Sequence, residues 1–222
     1  MRRLAGLMLL AAVVVSAACH HGKFSEVRGS GKRAVQKRQV GPFTSIETNG
    51  AFTIEVTCQK DLGLEIEGDD NILDLVATEV RNNVLHLENS KGYSVSEPVK
   101  FTISVPNLEG VSVSGAGKVD IKDMSNDEFK IDSKGAPRIV VSGKTKLVNI
   151  DTKGAATIDT QNLRASRAVV DSNGVSKVDI SVADRLDVTV SGPSSVTYKG
   201  DPVVNKKING PGRVERRGGE GA

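Results

Sequence analysis

Asp132, Asp151 and Asp171 each stand three residues before a glycine, and Asp120, Asp159 and Asp179 each stand five residues after one. Carboxylates at a fixed spacing are what a calcium site, a glycoside hydrolase or a β-helical polysaccharide lyase would use. On stacked strands each set would point outward, with about 4.8 Å between neighbours. Cations lie close by: Lys134, Lys153, Lys118, Arg138 and Lys177 supply nearly one per acid. Cross-strand opposite charges attract, so the expectation is a charge-balanced, solvated surface that holds no specific cation. Asp132 and Asp151 have lysines two residues on, whereas Asp171 has Asn173 there. Asp132, Asp151 and Asp171 are therefore the candidate ligand or cation face.

Other reactive residues are few. His20 and His21 adjoin Cys19, and a thiol with two imidazoles could take Zn²⁺ or Cu²⁺. Acylation of Cys19 would remove that thiol, so no metal site is expected. His86 alternates with Leu85 and Leu87 and reads as an outward strand residue. Cys58 shares the parity of Phe52, Ile54 and Val56 and reads as a small core hydrophobe. No G-x-S-x-G motif and no Ser-His-Asp set can be assembled, so neither catalysis nor a cofactor is expected.

Composition narrows the partners. The formal charge is +3, of which Arg2 and Arg3 supply two. So weak a balance gives no reason to expect nucleic acid. Aromatics make up 3% and Trp is absent, which argues against base-stacking platforms and weakens a stacking sugar site.

Residues 1–18 read as a signal peptide: a basic start, an apolar stretch from Leu4 to Val15, then Ser16, Ala17 and Ala18. Small residues ending in Ala-Cys resemble a bacterial lipobox, so Cys19 is the expected lipidation site. The implied address is the outer membrane, reached through a lipid anchor. Plain signal-peptidase cleavage stays open, and it would leave a Cys19–Cys58 disulfide possible. Residues 19–39 are rich in Lys, Arg, Gly and Ser and read as a basic flexible tether.

From Val40 apolar residues alternate with period two, the mark of half-buried strands. Residues 40–106 read as β-rich, with one exception. Asp69, Asp70 and Asn71 resemble a helix N-cap, and Ile72, Leu73, Leu75, Val76 and Val80 follow at helical spacing, which predicts a short helix over 70–82.

Residues 107–216 are repetitive. Gly115, Gly135, Gly154, Gly174, Gly192 and Gly210 recur at intervals of 20, 19, 20, 18 and 18 residues, and Gly50 is an outlying copy. Four residues before the glycine stand Val111, Ile131, Ile150, Val170 and Val188; four after it stand Val119, Ile139, Ile158, Val178, Val196 and Val214. A further apolar edge runs through Phe129, Leu147, Leu163 and Leu186. Three apolar edges per coil predict an all-β fold, a right-handed parallel β-helix with the glycines along one corner. Residues 217–222 read as a disordered tail.

The corner segments Thr48-Asn49-Gly50-Ala51, Ser114-Gly115-Ala116-Gly117, Lys153-Gly154-Ala155, Ser191-Gly192-Pro193 and Asn209-Gly210-Pro211-Gly212 resemble those of the head GIN domain family. So do Val40-Gly41-Pro42-Phe43 and Tyr198-Lys199-Gly200-Asp201-Pro202. The resemblance runs from about residue 38 to 216 and implies a β-helical bacterial envelope protein. It carries the label of an auto-transporter adhesin but implies no established activity. The functional expectation is a non-catalytic envelope lipoprotein whose β-helix binds or adheres to an extracellular polymer or envelope protein. The alternatives are a polysaccharide-active enzyme using the stacked carboxylates and a purely structural envelope protein.

Overall fold

The computed structural model describes residues 26–218. The signal peptide, Cys19, His20 and His21 lie outside the described residues. The chain is an all-β solenoid of about five turns over 110–216, preceded by a β-rich segment. Four long strands, Lys118–Gly135, Arg138–Gly154, Thr157–Gly174 and Lys177–Ser191, each run through most of one coil and pair in parallel with the next.

Stacking in register builds the core from identical positions. Val111, Ile131, Ile150, Val170 and Val188 form one inner column, and Val119, Ile139, Ile158, Val178, Val196 and Val214 another. These β-branched side chains are buried, and each contributes roughly 1.5–3 kcal/mol by leaving water. Between them runs an inner column of hydroxyls that period-two reading had not singled out: Ser133, Thr152 and Ser172. Thr152 Oγ1 lies 3.0 Å from both Ser172 Oγ and Ser176 Oγ, so these three satisfy one another, whereas the buried Ser133 Oγ has no partner among the described residues.

The glycine column is obligatory for two reasons. Gly115, Gly135, Gly154, Gly174, Gly192 and Gly210 have φ between +92° and +125°, and Gly50 has +152°. A Cβ on Gly154 would also lie 2.4 Å from the Gly135 carbonyl oxygen of the coil below. The uneven coil lengths are absorbed at a different corner. Register shifts fall between Ile121 and Met124, Val140 and Ser142, and Thr160 and Ala165.

The parallel ladder does not begin at residue 107. Ser45–Asn49 stacks against Gly110–Gly115, and Thr53–Cys58 against the start of Lys118–Gly135. Val84–Asn89 and Lys100–Val105 then stack against those two strands. The coil 84–105 is thus outermost, although it comes later in the chain than the coil 45–58. Antiparallel strands close this end: Val76–Arg81 pairs with Val84–Asn89, Gly63–Asp69 with Lys100–Val105, and Arg33–Lys37 with Gly63–Asp69.

Three expectations are corrected here. No α-helix occupies 70–82: a 3-10 turn, Leu73–Leu75, leads into the strand Val76–Arg81. Asn82 and Asn83, at φ 52° and 63°, form the two-residue turn of a hairpin, a position Asn tolerates well. Ile72 and Leu73 are apolar because they plug the solenoid end, and ladder pairing of the β-branched Val76, Thr78 and Val80 overrides their helical spacing. Asp69, Asp70 and Asn71 cap no helix. They clamp the 28–32 turn through Gly31 N–H, Ser30 Oγ and the Arg28 carbonyl.

The tether reading fails over 27–38, where Val27–Arg28 pairs with Tyr93–Ser94 and Arg33–Lys37 joins the sheet. Arg38 is structural: it donates to the Leu73 and Val76 carbonyls at 2.7 and 2.6 Å. Lastly, Arg217 is not tail, since its N–H donates to the Tyr198 carbonyl and its guanidinium lies 3.2 Å from Asp179.

Candidate functional site

The predicted acid face is a real column. Ser112, Asp132, Asp151, Asp171, Thr189 and Lys207 stand in register on successive coils, and Glu47 and His86 continue the row toward the capped end. Strand parity sends these side chains outward because their neighbours Ile131, Ile150 and Val170 fill the core. On one side of the acids runs Lys130, Asn149, Val169, Asp187 and Asn205; on the other, Lys134, Lys153, Asn173 and Ser191.

The charges are matched locally, though by one unexpected partner. Lys153 Nζ lies 3.6 Å from Asp151, but Asp132 is met at 3.0 Å by Lys130 rather than Lys134. Lys134 and Lys130 stand two residues to either side of Asp132, so parity alone could not choose. Asp171 is exposed and has no ion pair among the described residues. Beside it, Val169, Asp187, Thr189, Asn205 and Lys207 line an open depression of about 330 Å³. Asp187 is held below the usual carboxylate range by the hydrogen bond from Arg185, then by that from Asn205. Arg185 grips it at 2.7 and 2.9 Å.

The second acid set does not form the expected unbroken stack. Val140 separates Asp120 from Asp159, and only Asp159 and Asp179 are adjacent. The Asp179 side chain is 7% exposed, sandwiched between Lys177 and Arg217 at 3.2 Å each. Of the other predicted neutralisers, Lys118 and Arg138 form no ion pair among the described residues, and Lys122 takes Asp120 at 3.6 Å.

No group of three metal-ligating side chains converges among the described residues. His86 Nδ1 lies 3.8 Å from Glu47, far along the column from Asp171. Cys58 is buried, and desolvation pushes its thiol up to about 11, with Asp123 adding to the rise. It is a packing residue. What the column can do chemically is present carboxylate, amide, hydroxyl and ammonium groups on a flat, rigid sheet at rung spacing. A feature that sequence reading missed is the cation pair Lys144 and Arg164, in register on neighbouring coils, with Arg167 three residues further along the same strand as Arg164. The only signal was the short runs Lys144-Thr145-Lys146 and Arg164-Ala165-Ser166-Arg167, whose alignment depends on the irregular corner.

Residues 42–202 match the family described as "Putative auto-transporter adhesin, head GIN domain". The chain belongs to this family. Among solved structures, this head GIN domain is similar to a putative adhesin from Bacteroides fragilis NCTC 9343, at 26% identity and a TM-score of 0.70, covering 86% of this chain and 100% of the other. A putative adhesin from Parabacteroides merdae ATCC 43184 shares the fold at 18% identity and a TM-score of 0.54, covering 87% of this chain and 99% of the other. A putative lipid binding protein from Parabacteroides distasonis ATCC 8503 does so at 16% identity and 0.55, covering 87% and 100%. No curated protein matches the head GIN domain chain in sequence.

Proposed function

We propose that the protein is a non-catalytic module of the bacterial envelope, anchored through lipid on Cys19, whose β-helix binds an extracellular polymer or an envelope protein. The observation that carries this reading is the in-register outer column Ser112, Asp132, Asp151, Asp171, Thr189 and Lys207 on a rigid parallel sheet. An extended ligand meets similar hydrogen-bonding groups at each rung, so weak contacts add without ordering a loop. Similarity to putative adhesins supports the same direction. The address follows from the Arg2-Arg3 start, the apolar stretch and the Ala-Cys junction.

Cell-wall, capsular and plant polysaccharides are tested for both retention and cleavage. Retention without turnover is the expected result, with affinity reduced by Asp151→Asn. Cleavage abolished by Asp151→Asn would assign the column to an enzyme instead. Neither retention nor cleavage would leave a structural role. Separately, Cys19→Ser should release the protein from the membrane fraction; a membrane-bound variant of unchanged size would overturn the anchor.

A further inference from the structure

Several cations are neutralised by an acid two residues away on the same strand. Lys130–Asp132, Asp151–Lys153, Asp120–Lys122, Lys177–Asp179 and Arg185–Asp187 all lie within 3.6 Å. Lys144, Arg164 and Arg167 have no such acid. Lys144 stands in register with Arg164 on the next coil, and Arg167 with Arg185. Two residues either side of Lys144 are Ser142 and Lys146; of Arg164, Asn162 and Ser166; of Arg167, Ala165 and Val169. None is acidic.

The nearby acids are mostly engaged elsewhere. Asp127 pairs with Lys146 at 2.9 Å, Glu128 accepts from Asn149 at 2.8 Å, and Asp187 holds Arg185. Asp184, next to Arg185 in the chain, is exposed. Lys144, Arg164 and Arg167 form no ion pair among the described residues. Like charges in register on neighbouring rungs repel, and an anion seated between them would relieve this. Lys144 and Arg164 also line an open groove of about 430 Å³ together with the paired Asp127 and Lys146 and with Ser125 and Ser166, whose hydroxyls stand beside the cations.

We infer that Lys144 and Arg164, with Arg167 at the adjoining edge of the acid face, bind the anionic groups of an acidic polysaccharide. This rests on the proposed binding role and names its ligand class. Lys144 and Arg164 stand on neighbouring coils about 4.8 Å apart along the solenoid axis, within reach of two charges of one polymer. Guanidinium groups recognise carboxylate, sulfate and phosphate with paired donors. The scarcity of aromatics, 3% of the chain, disfavours a single-stranded nucleic acid as the occupant.

The test measures retention of the protein on dextran sulfate, polygalacturonate and neutral dextran, and on phosphatidylcholine vesicles with and without phosphatidylglycerol. Arg164→Glu/Arg167→Glu is compared with Lys118→Glu/Arg138→Glu, which changes net charge equally on another side. Melting curves check that both variants fold. The expected result is salt-sensitive binding to both polyanions, weakened about tenfold by the first pair and under about twofold by the second. Equal weakening by both pairs would show a net-charge effect and overturn the inference. Binding only to phosphatidylglycerol vesicles would also overturn it, assigning the patch to lipid headgroups. If other polymers are retained and polyanions are not, the binding role stands and this inference falls. If nothing is retained, both fall.

Discussion

The two ends of the solenoid are finished by different means. At the N-terminal end the outermost coil is covered by antiparallel strands, and Ile72 and Leu73 are fully buried beneath them. Phe52 and Phe101 pack edge to face there, with ring centroids 5.2 Å apart. At the C-terminal end the strands Val203–Asn209 and Arg213–Arg216 have a partner on one side only among the described residues. Val203 is 67% exposed, and Lys206 occupies the position that Val170 and Val188 fill in the coils below. A charge at an inward position is a way to stop another strand from adding to an open edge. A solenoid end can therefore be closed by burial or left open and made unattractive, and this chain does one at each end.

The comparison can be broken most severely at the buried end. Phe101→Ala should cost about 3–5 kcal/mol, since Phe52 and the cap cannot collapse fully into the space. Val214→Ala, in the open coil, should cost about 1 kcal/mol and show chiefly as local hydrogen exchange of 203–216. Equal losses at both ends would mean that the open coil is as cooperative as the cap.

The corner column is the next test. Gly154→Ala should destabilise by about 3 kcal/mol, from positive φ together with the clash on Gly135. Gly41→Ala, where an added Cβ meets nothing within 4 Å, should be near neutral. Thermal midpoints resolve the difference, at about 2–4 °C per kcal/mol for a domain of this size.

Cap chemistry comes third. Arg38→Ala leaves the Leu73 and Val76 carbonyls without their donor and should cost about 2 kcal/mol in urea unfolding.

The smallest effect belongs to the acid column. Excess chelator and millimolar Ca²⁺ should give the same melting temperature, because Lys130 and Lys153 already neutralise Asp132 and Asp151, and the remaining Asp171 alone offers too few oxygens to hold calcium. A rise of several degrees in Ca²⁺ that disappears in Asp151→Asn would show that a cation occupies it.

The regular coils were legible because each packs on a copy of itself. Gly135 above Gly115, Ile150 above Ile131 and Asp151 above Asp132 follow from a single period. The cap was legible only in part, since Val76 and Val80 fit a helix as well as a strand. The charge partners were half legible: Lys153 found Asp151, but Lys130 displaced Lys134 at Asp132.

By itself, then, the sequence determined the coil, the glycine corner and the two apolar columns flanking it, because those depend on neighbours one period away; the expected third edge fails at Leu147, which pairs with Glu128 while Val148 stacks on Phe129. Only the tertiary structure decided three things: that the coil 84–105 lies outside the coil 45–58, that residues 27–38 belong to the sheet, and that Lys144 meets Arg164. Each rests on pairings the period does not dictate, either between dissimilar segments far apart in the chain or across a corner where the register shifts. There the competing partners are close in energy locally, and the packed solenoid chooses among them.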